Sequence, residues 1–265
     1  MKNYNLVEFT DKLKKEFPFY LAEKWDNVGL QIANENIIIK KVLITLDISY
    51  PIVEYAKKHK FSLIISHHPL IFNPLTSILA FDNLISFLIK ELLLFNIAVI
   101  ILHTNIDKLY FNLISKIFNL SNIKPIDAEP QNPEIGIGSY GELPQKITLK
   151  NLLNIIKEKL KIEKLRYVGE LNKKVKVIGC CGGSGASLIN KSLLEKKIDA
   201  LITSDLKYHT AQYAEHLGIA VIDAGHYHTE KILLPELKKD LKNLFSDSGI
   251  IFEISDIITD PLKFY

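Results

Sequence analysis

The sequence predicts an α/β protein of two domains with mostly parallel sheets, and three observations predict it. Short apolar runs of strand length alternate with helix-period segments in both halves of the chain. A stretch rich in proline, glycine and asparagine, residues 121–147, lies between the halves. Several strand-like runs end in histidines or acids, and the carboxyl ends of strands are where open α/β sheets build their sites. The expected division is 1–124 for an N-terminal α/β domain and 125–265 for a C-terminal one, with the last strand able to return to the first domain.

Taken in order, Asn5 to Phe17 reads as a helix because Leu6, Phe9, Leu13 and Phe17 recur on one face. The loop after it carries Trp25-Asp26-Asn27-Val28-Gly29-Leu30, where the only tryptophan sits beside an acid and an amide. Two readings are open: a Trp anchoring the loop on the core with an Asx turn behind it, or direct chemistry. Val42 to Ile48 then reads as a buried strand carrying Asp47, Pro51 to Lys60 as a helix with proline in its first turn, and Leu63 to Ile65 as a second strand. Such a βαβ unit joins parallel strands.

That second strand delivers Ser66-His67-His68-Pro69. Successive strand side chains point to opposite faces, so two adjacent histidines reach one target only where the pleat ends. Pro69 favours such an end by biasing His68 toward an extended or turn conformation. A surface pair capping a nearby helix is the competing reading. A helix over Phe81 to Phe95 and a strand over Ile97 to Leu102 follow, the latter ending in His103-Thr104-Asn105-Ile106-Asp107.

In the second half, Leu152 to Leu160 reads as a helix and Val175 to Ile178 as a strand running into Gly182-Gly183-Ser184-Gly185. Ala186 to Lys196 reads as the helix after it. Such a turn either offers backbone N–H groups to an anion or gives room for close packing, and its spacing matches neither common nucleotide fingerprint. Ala200 to Thr203 leads to Asp205 and His209, and Ile219 to Ile222 leads to His226-Tyr227-His228-Thr229-Glu230. If that segment is helical, His226 and Glu230 share a face. Pro235 predicts a kink or late start in the helix over Lys231 to Phe245, and Ile250 to Ile254 reads as a last strand.

Composition narrows the function classes. With 265 residues, 48% of them apolar, a substantial core is expected. The net charge of +3, without long runs of one sign, is too weak to indicate nucleic acid. The only two cysteines, Cys180 and Cys181, are adjacent, which excludes a disulfide framework and a Cys-x-x-Cys zinc signature and fits a reducing, cytoplasmic compartment. The N-terminus lacks the apolar centre of a signal peptide. The longest apolar run, Leu92 to Leu102, is broken by Asn96 and falls short of the ~20 residues a membrane span needs, so a soluble protein is expected.

Histidine with carboxylate at strand ends, in both halves, points to metal. His67, His68, His103 and Asp107 stand in the first and His226 and Glu230 in the second. This donor set suits Zn, Fe, Mn or Co, and the lack of thiolate argues against a structural zinc knot. Six candidates exceed one tetrahedral ion and suit two divalent ions with open positions, a hydrolytic centre that attracts phosphorylated substrates. No Ser-His-Asp order or nucleophilic lysine motif stands out.

Trp25 to Leu30, Ser66 to Pro69, His103 to Asp107, Gly182 to Gly185 and Asp223 to Glu230 together resemble the YbgI-like dinuclear metal-centre family, the GTP cyclohydrolase I type 2 homologues. The resemblance spans nearly the whole chain. It implies metal ligands at His67, His68, Asp107, His226 and Glu230, and a catalytic or supporting role for His103. It implies two divalent ions in the cleft between two α/β domains, and a homo-oligomer in the form of a toroidal hexamer. It implies a hydrolase of the GTP cyclohydrolase kind, acting on a nucleotide or other phosphorylated small molecule. A non-catalytic metal-binding ring or adaptor is the alternative. Some relatives carry an inserted domain, for which residues 121–147 leave no room. His209 and His228 are not carried over as ligands.

Overall fold

The computed structural model describes residues 1–263. The chain forms two compact units, Met1–Ile106 with Leu234–Pro261, and a second whose body is Asp107–Leu233. The boundary therefore falls at 106/107, not at 124/125 as the composition predicted, and the first unit recovers the chain's C-terminal part.

The first unit begins with helix α1 (Leu6–Glu16). Asn5 Oδ1 accepts the Glu8 N–H at 2.9 Å and Glu8 accepts the Asn5 N–H at 3.2 Å, a reciprocal cap that sets the helix start locally. An unanticipated edge strand, β1 (Gly29–Ile32), follows. Then come β2 (Lys41–Thr45), α2 (Tyr50–Lys58), β3 (Leu63–Ser66), α3 (Leu84–Leu94) and β4 (Ala98–Ile101), the alternation the sequence predicts. Helix α3 starts three residues later than the apolar pattern suggests, because Asn83 caps it by accepting the Ser86 N–H at 2.8 Å. A short helix, α4 (Thr104–Leu109), leads onward.

The second unit holds α5 (Leu113–Ile117), β5 (Ser121–Glu129), β6 (Asn132–Thr148), α6 (Leu149–Leu160), β7 (Arg166–Val168), β8 (Lys174–Cys180), α7 (Lys191–Glu195), β9 (Ala200–Thr203), α8 (Tyr208–His216), β10 (Ala220–Asp223) and α9 (His226–Glu230). Helix α10 (Leu233–Leu244), with Pro235 in its first turn, and strand β11 (Ile251–Ile254) then follow. The expected single helix over Ala186 to Lys196 is instead a 3-10 turn at Ala186–Leu188 and α7, separated by Asn190, whose side chain caps the latter.

In the first unit the strand order is β1-β4-β3-β2-β11, with β11, β2, β3 and β4 parallel and β1 antiparallel at the edge. All four residues of β3 and of β4 are buried, as expected of strands covered on both faces. Leu43, Ile64, Val99, Ile52, Leu88 and Leu92 belong to the core on the α2 and α3 side. Phe9 of α1 stacks on Phe245 at 4.2 Å between ring centres, and Phe245 in turn meets Phe252 of β11.

In the second unit the order is β5-β6-β8-β9-β10-β7. Here the expectation of a mostly parallel sheet is corrected: only β8, β9 and β10 run parallel, and the pairings on either side of them are antiparallel. Residues 121–147, read as the junction, are the β5–β6 hairpin. Their glycines mark close approach as well as turns: a Cβ on Gly136 would lie 2.1 Å from the Asp127 carbonyl oxygen of the partner strand. Among the described residues, no helix is long and apolar enough to cross a membrane.

Candidate metal centre

The strand ends of the first unit bring three imidazoles together. Beyond β3, His67 N–H donates to the Thr45 carbonyl at 3.0 Å and His68 N–H to the Leu46 carbonyl at 2.8 Å, so both histidines are held on the extension of the sheet. The Ser66 hydroxyl ties off the turn by donating to the Leu46 and His68 carbonyls. His103 follows β4, which is the parallel neighbour of β3. One ring nitrogen from each of His67, His68 and His103 lies within 4.8 Å of the others. Ring centres are 5.0 to 5.6 Å apart.

Each ring is oriented through Nδ1 by a group that can only accept. His67 Nδ1 donates to the Leu102 carbonyl at 3.0 Å, His68 Nδ1 to Asp47 at 2.8 Å and His103 Nδ1 to Asp26 at 2.9 Å. With the proton on Nδ1, the neutral ring carries its lone pair on Nε2, which is the tautomer a metal ligand needs. The Asp26 side chain is fully buried and also accepts the Thr104 N–H at 3.1 Å and hydroxyl at 2.5 Å. Burial pulls its carboxyl upward, but the hydrogen bonds from His103 and Thr104 outweigh that and hold it below the ordinary aspartate value.

The second unit carries the other candidates. Helix α9 sets His226 and Glu230 one turn apart, with His226 Nε2 at 3.0 Å from Glu230 Oε1. His226 Nδ1 faces Asp205 at 2.7 Å, and Glu230 is buried. The hydrogen bond to Glu230 is the main reason that the His226 pKa is pushed up to about 9; burial opposes it, and the charges of Glu230 and Asp205 reinforce it. Asp107 belongs to the same neighbourhood. Burial first, then the Asp107 and Glu230 charges, push the Cys181 thiol pKa well up, so this cysteine is an inert thiol.

In the glycine turn two N–H groups are taken up by threonine hydroxyls and the bare backbone serves close packing. Gly183 N–H donates to the Thr229 hydroxyl at 3.0 Å and Gly185 N–H to the Thr203 hydroxyl at 2.8 Å. A Cβ on Gly183, whose φ is +57°, would lie 2.0 Å from Glu230 Oε1, so the bare backbone gives the carboxylate its place.

Of the residues singled out from the sequence, His67, His68 and His103 gather in the first unit, and Asp107, His226 and Glu230 belong to the second. His209 is exposed on α8 and pairs with Gln212 at 3.1 Å. Trp25 does not anchor its loop on the core, being 59% exposed. What sequence reading missed is the set of acceptors behind the imidazoles, Asp26, Asp47 and Asp205. For Asp47 the strand register supplies the pairing: Thr45 lies opposite Ser66 between β2 and β3, so Asp47 falls level with His68 two residues on.

Comparison with known proteins shows which family and fold the chain shares. The family model for Duf34/NIF3 (NGG1p interacting factor 3) matches residues 4–261. A Clostridium perfringens protein named GTP cyclohydrolase 1 type 2 homolog is 31% identical over 252 residues, covering 93% of this chain and 94% of that protein. The crystal structure of Staphylococcus aureus hypothetical protein SA1388 matches with a TM-score of 0.91 at 30% identity, with 100% of both chains covered. Protein ybgI, of unknown function, matches with a TM-score of 0.81 over 96% of this chain and 99% of its own, and at 19% identity this speaks for the fold alone.

Proposed function

The chain belongs to the Duf34/NIF3 family, and from that premise we propose that it is a dinuclear metal-dependent hydrolase acting on a nucleotide, as the name of its GTP cyclohydrolase 1 type 2 homologues suggests. The observation that carries the reading is the clustering of His67, His68 and His103 with each Nδ1 against a carbonyl or carboxylate, which leaves Nε2 for a metal. His67 and His68 would hold metal from the first unit and Asp107, His226 and Glu230 from the second, the two sets serving one pair of divalent ions of the Zn, Fe, Mn or Co class. Such ions supply a water of lowered pKa and polarise the bond under attack.

The chain's own groups handle orientation and protons. Asp26, held ionised by its hydrogen bonds, fixes the orientation of His103 by accepting from Nδ1 and leaves Nε2 as the atom that faces the reaction. His103, its Nδ1 on the buried Asp26 and its ring beside those of His67 and His68, is proposed as the group that moves a proton. His226 lies between Asp205 and Glu230, and as a ligand it would give up the proton it shares with Glu230. The toroidal hexamer that the resemblance implies and the cytoplasmic setting that the cysteine usage suggests belong to the same proposal.

The test is turnover and metal content together. Protein loaded with Mn, Fe or Zn is incubated with GTP, other nucleotides and simple phosphoesters. Ring opening with formate release, or phosphoester cleavage, is expected, with His103→Ala lowering kcat by about 100-fold or more. Two ions per chain are expected, and His226→Ala and His68→Ala should each reduce that number. No turnover of any of these substrates refutes the hydrolase reading in favour of a metal-binding adaptor.

A further inference from the structure

Next to the histidine cluster, two aromatic rings stand in solvent. Trp25 is 59% and Phe72 48% exposed, their ring centres 5.9 Å apart and their planes inclined at 50°. The Trp25 ring also meets His103, at 6.1 Å and 75°. An exposed aromatic pair is costly to leave in water and informative where it occurs.

Both rings stand on backbone that is tied down. The residue after Trp25 is Asp26, locked to His103 and Thr104. The residue before Phe72 is Ile71, whose carbonyl accepts from Asn27 Nδ2 at 2.6 Å and Gln31 Nε2 at 2.9 Å, and whose N–H donates to Gln31 Oε1 at 2.9 Å. Asn27 thereby links the two loops that carry the rings. Rigid, open, tilted aromatic faces suit a flat π-system, and they lose little order on binding one.

We propose that Trp25 and Phe72 form a stacking platform for the planar heteroaromatic ring of the substrate, a purine base being the type, and that it holds this ring beside His103. This rests on the nucleotide reading above and adds to it the means by which the base is recognised. Aliphatic sugar phosphates would lack this contact, so the platform selects the base and leaves the metal centre to the chemistry.

Trp25 is the only tryptophan of the chain, so its fluorescence reports this one place. In Zn-loaded protein, guanosine 5′-monophosphate is expected to quench it saturably and ribose 5-phosphate to leave it unchanged. Phe72→Ala, at an exposed position that folding tolerates, is expected to weaken guanosine 5′-monophosphate binding by about 5- to 150-fold, the range of base stacking. By calorimetry Trp25→Ala should do the same, and Trp25→Phe should retain most of the affinity. Equal binding of ribose 5-phosphate, wild-type affinity in both alanine variants, or an indole emission already blue-shifted and deaf to nucleotide because a second copy covers it, overturns the platform. The two readings fail separately. Nucleotide turnover with unchanged KM in Trp25→Ala removes the platform and leaves the hydrolase; saturable stacking without turnover of any substrate leaves the platform and removes the hydrolase.

Discussion

Gly183→Ala puts a methyl group where the Glu230 carboxylate now lies, 2.0 Å from Oε1, 3.0 Å from Cδ and 3.3 Å from His226 Nε2. Carbon and oxygen do not approach closer than 3.0 Å, so one of the two must retreat by about 1 Å. Gly183 is the less free to move. Its N–H is held by Thr229, and its carbonyl accepts the Ser204 N–H at 3.0 Å and the Thr203 hydroxyl at 3.2 Å. The carboxylate therefore yields, and its 3.0 Å contact with His226 goes with it.

The backbone strain at φ +57° costs about 1 to 2 kcal/mol, a melting-temperature loss of about 2 to 8 °C for a chain of this size. Metal affinity should fall by more than this strain accounts for, by about 10- to 100-fold, the scale seen when a ligand's support is disturbed. Competition with a chromogenic chelator measures the affinity and a thermal melt the stability. Gly182→Ala is the control: its Cβ would meet the Thr229 carbonyl at 3.3 Å and Glu230 Cγ at 3.7 Å, and affinity should stay near wild type. A folded Gly183→Ala variant that binds metal like wild type would refute the assignment of Glu230 as a ligand.

Two further outcomes are expected. Asp47→Ala frees the His68 ring from its 2.8 Å partner and should weaken metal binding by about 10-fold or more while the melting temperature moves little; an unchanged affinity would show that His68 is not a ligand. Tyr55 donates to Glu253 at 2.6 Å, and this bond, helped by Lys41 and opposed by burial, lowers the Glu253 pKa. A depressed carboxylate stabilises the fold above its unfolded pKa and stops doing so as pH falls through the folded one. Tyr55→Phe should therefore lower the melting temperature at neutral pH and converge with wild type in acid; a gap independent of pH would contradict it.

How far the sequence reached depended on whether each feature is local. The start of α1 is written in Asn5 and Glu8, three residues apart, and the gathering of His226 and Glu230 in one helical turn, because a helix brings every fourth residue to one face. The run into His67 and His68 and the parallel strands beside it follow from short apolar segments joined by helices. Pairings between distant segments were not legible in this way. Asp26 reaches His103 across 77 positions, Asp47 reaches His68 across 21 and Asp205 reaches His226 across 21. Which acid meets which imidazole is decided by strand register and loop packing, and no propensity along the chain encodes it. The β5–β6 hairpin was hidden for a related reason: glycine and proline signal a loop locally, while the space a glycine opens for a neighbouring strand exists only once that strand is there. Chain-local geometry set the residue types and the turns that present them; tertiary packing chose their partners, and with them the tautomers and charges on which any chemistry depends.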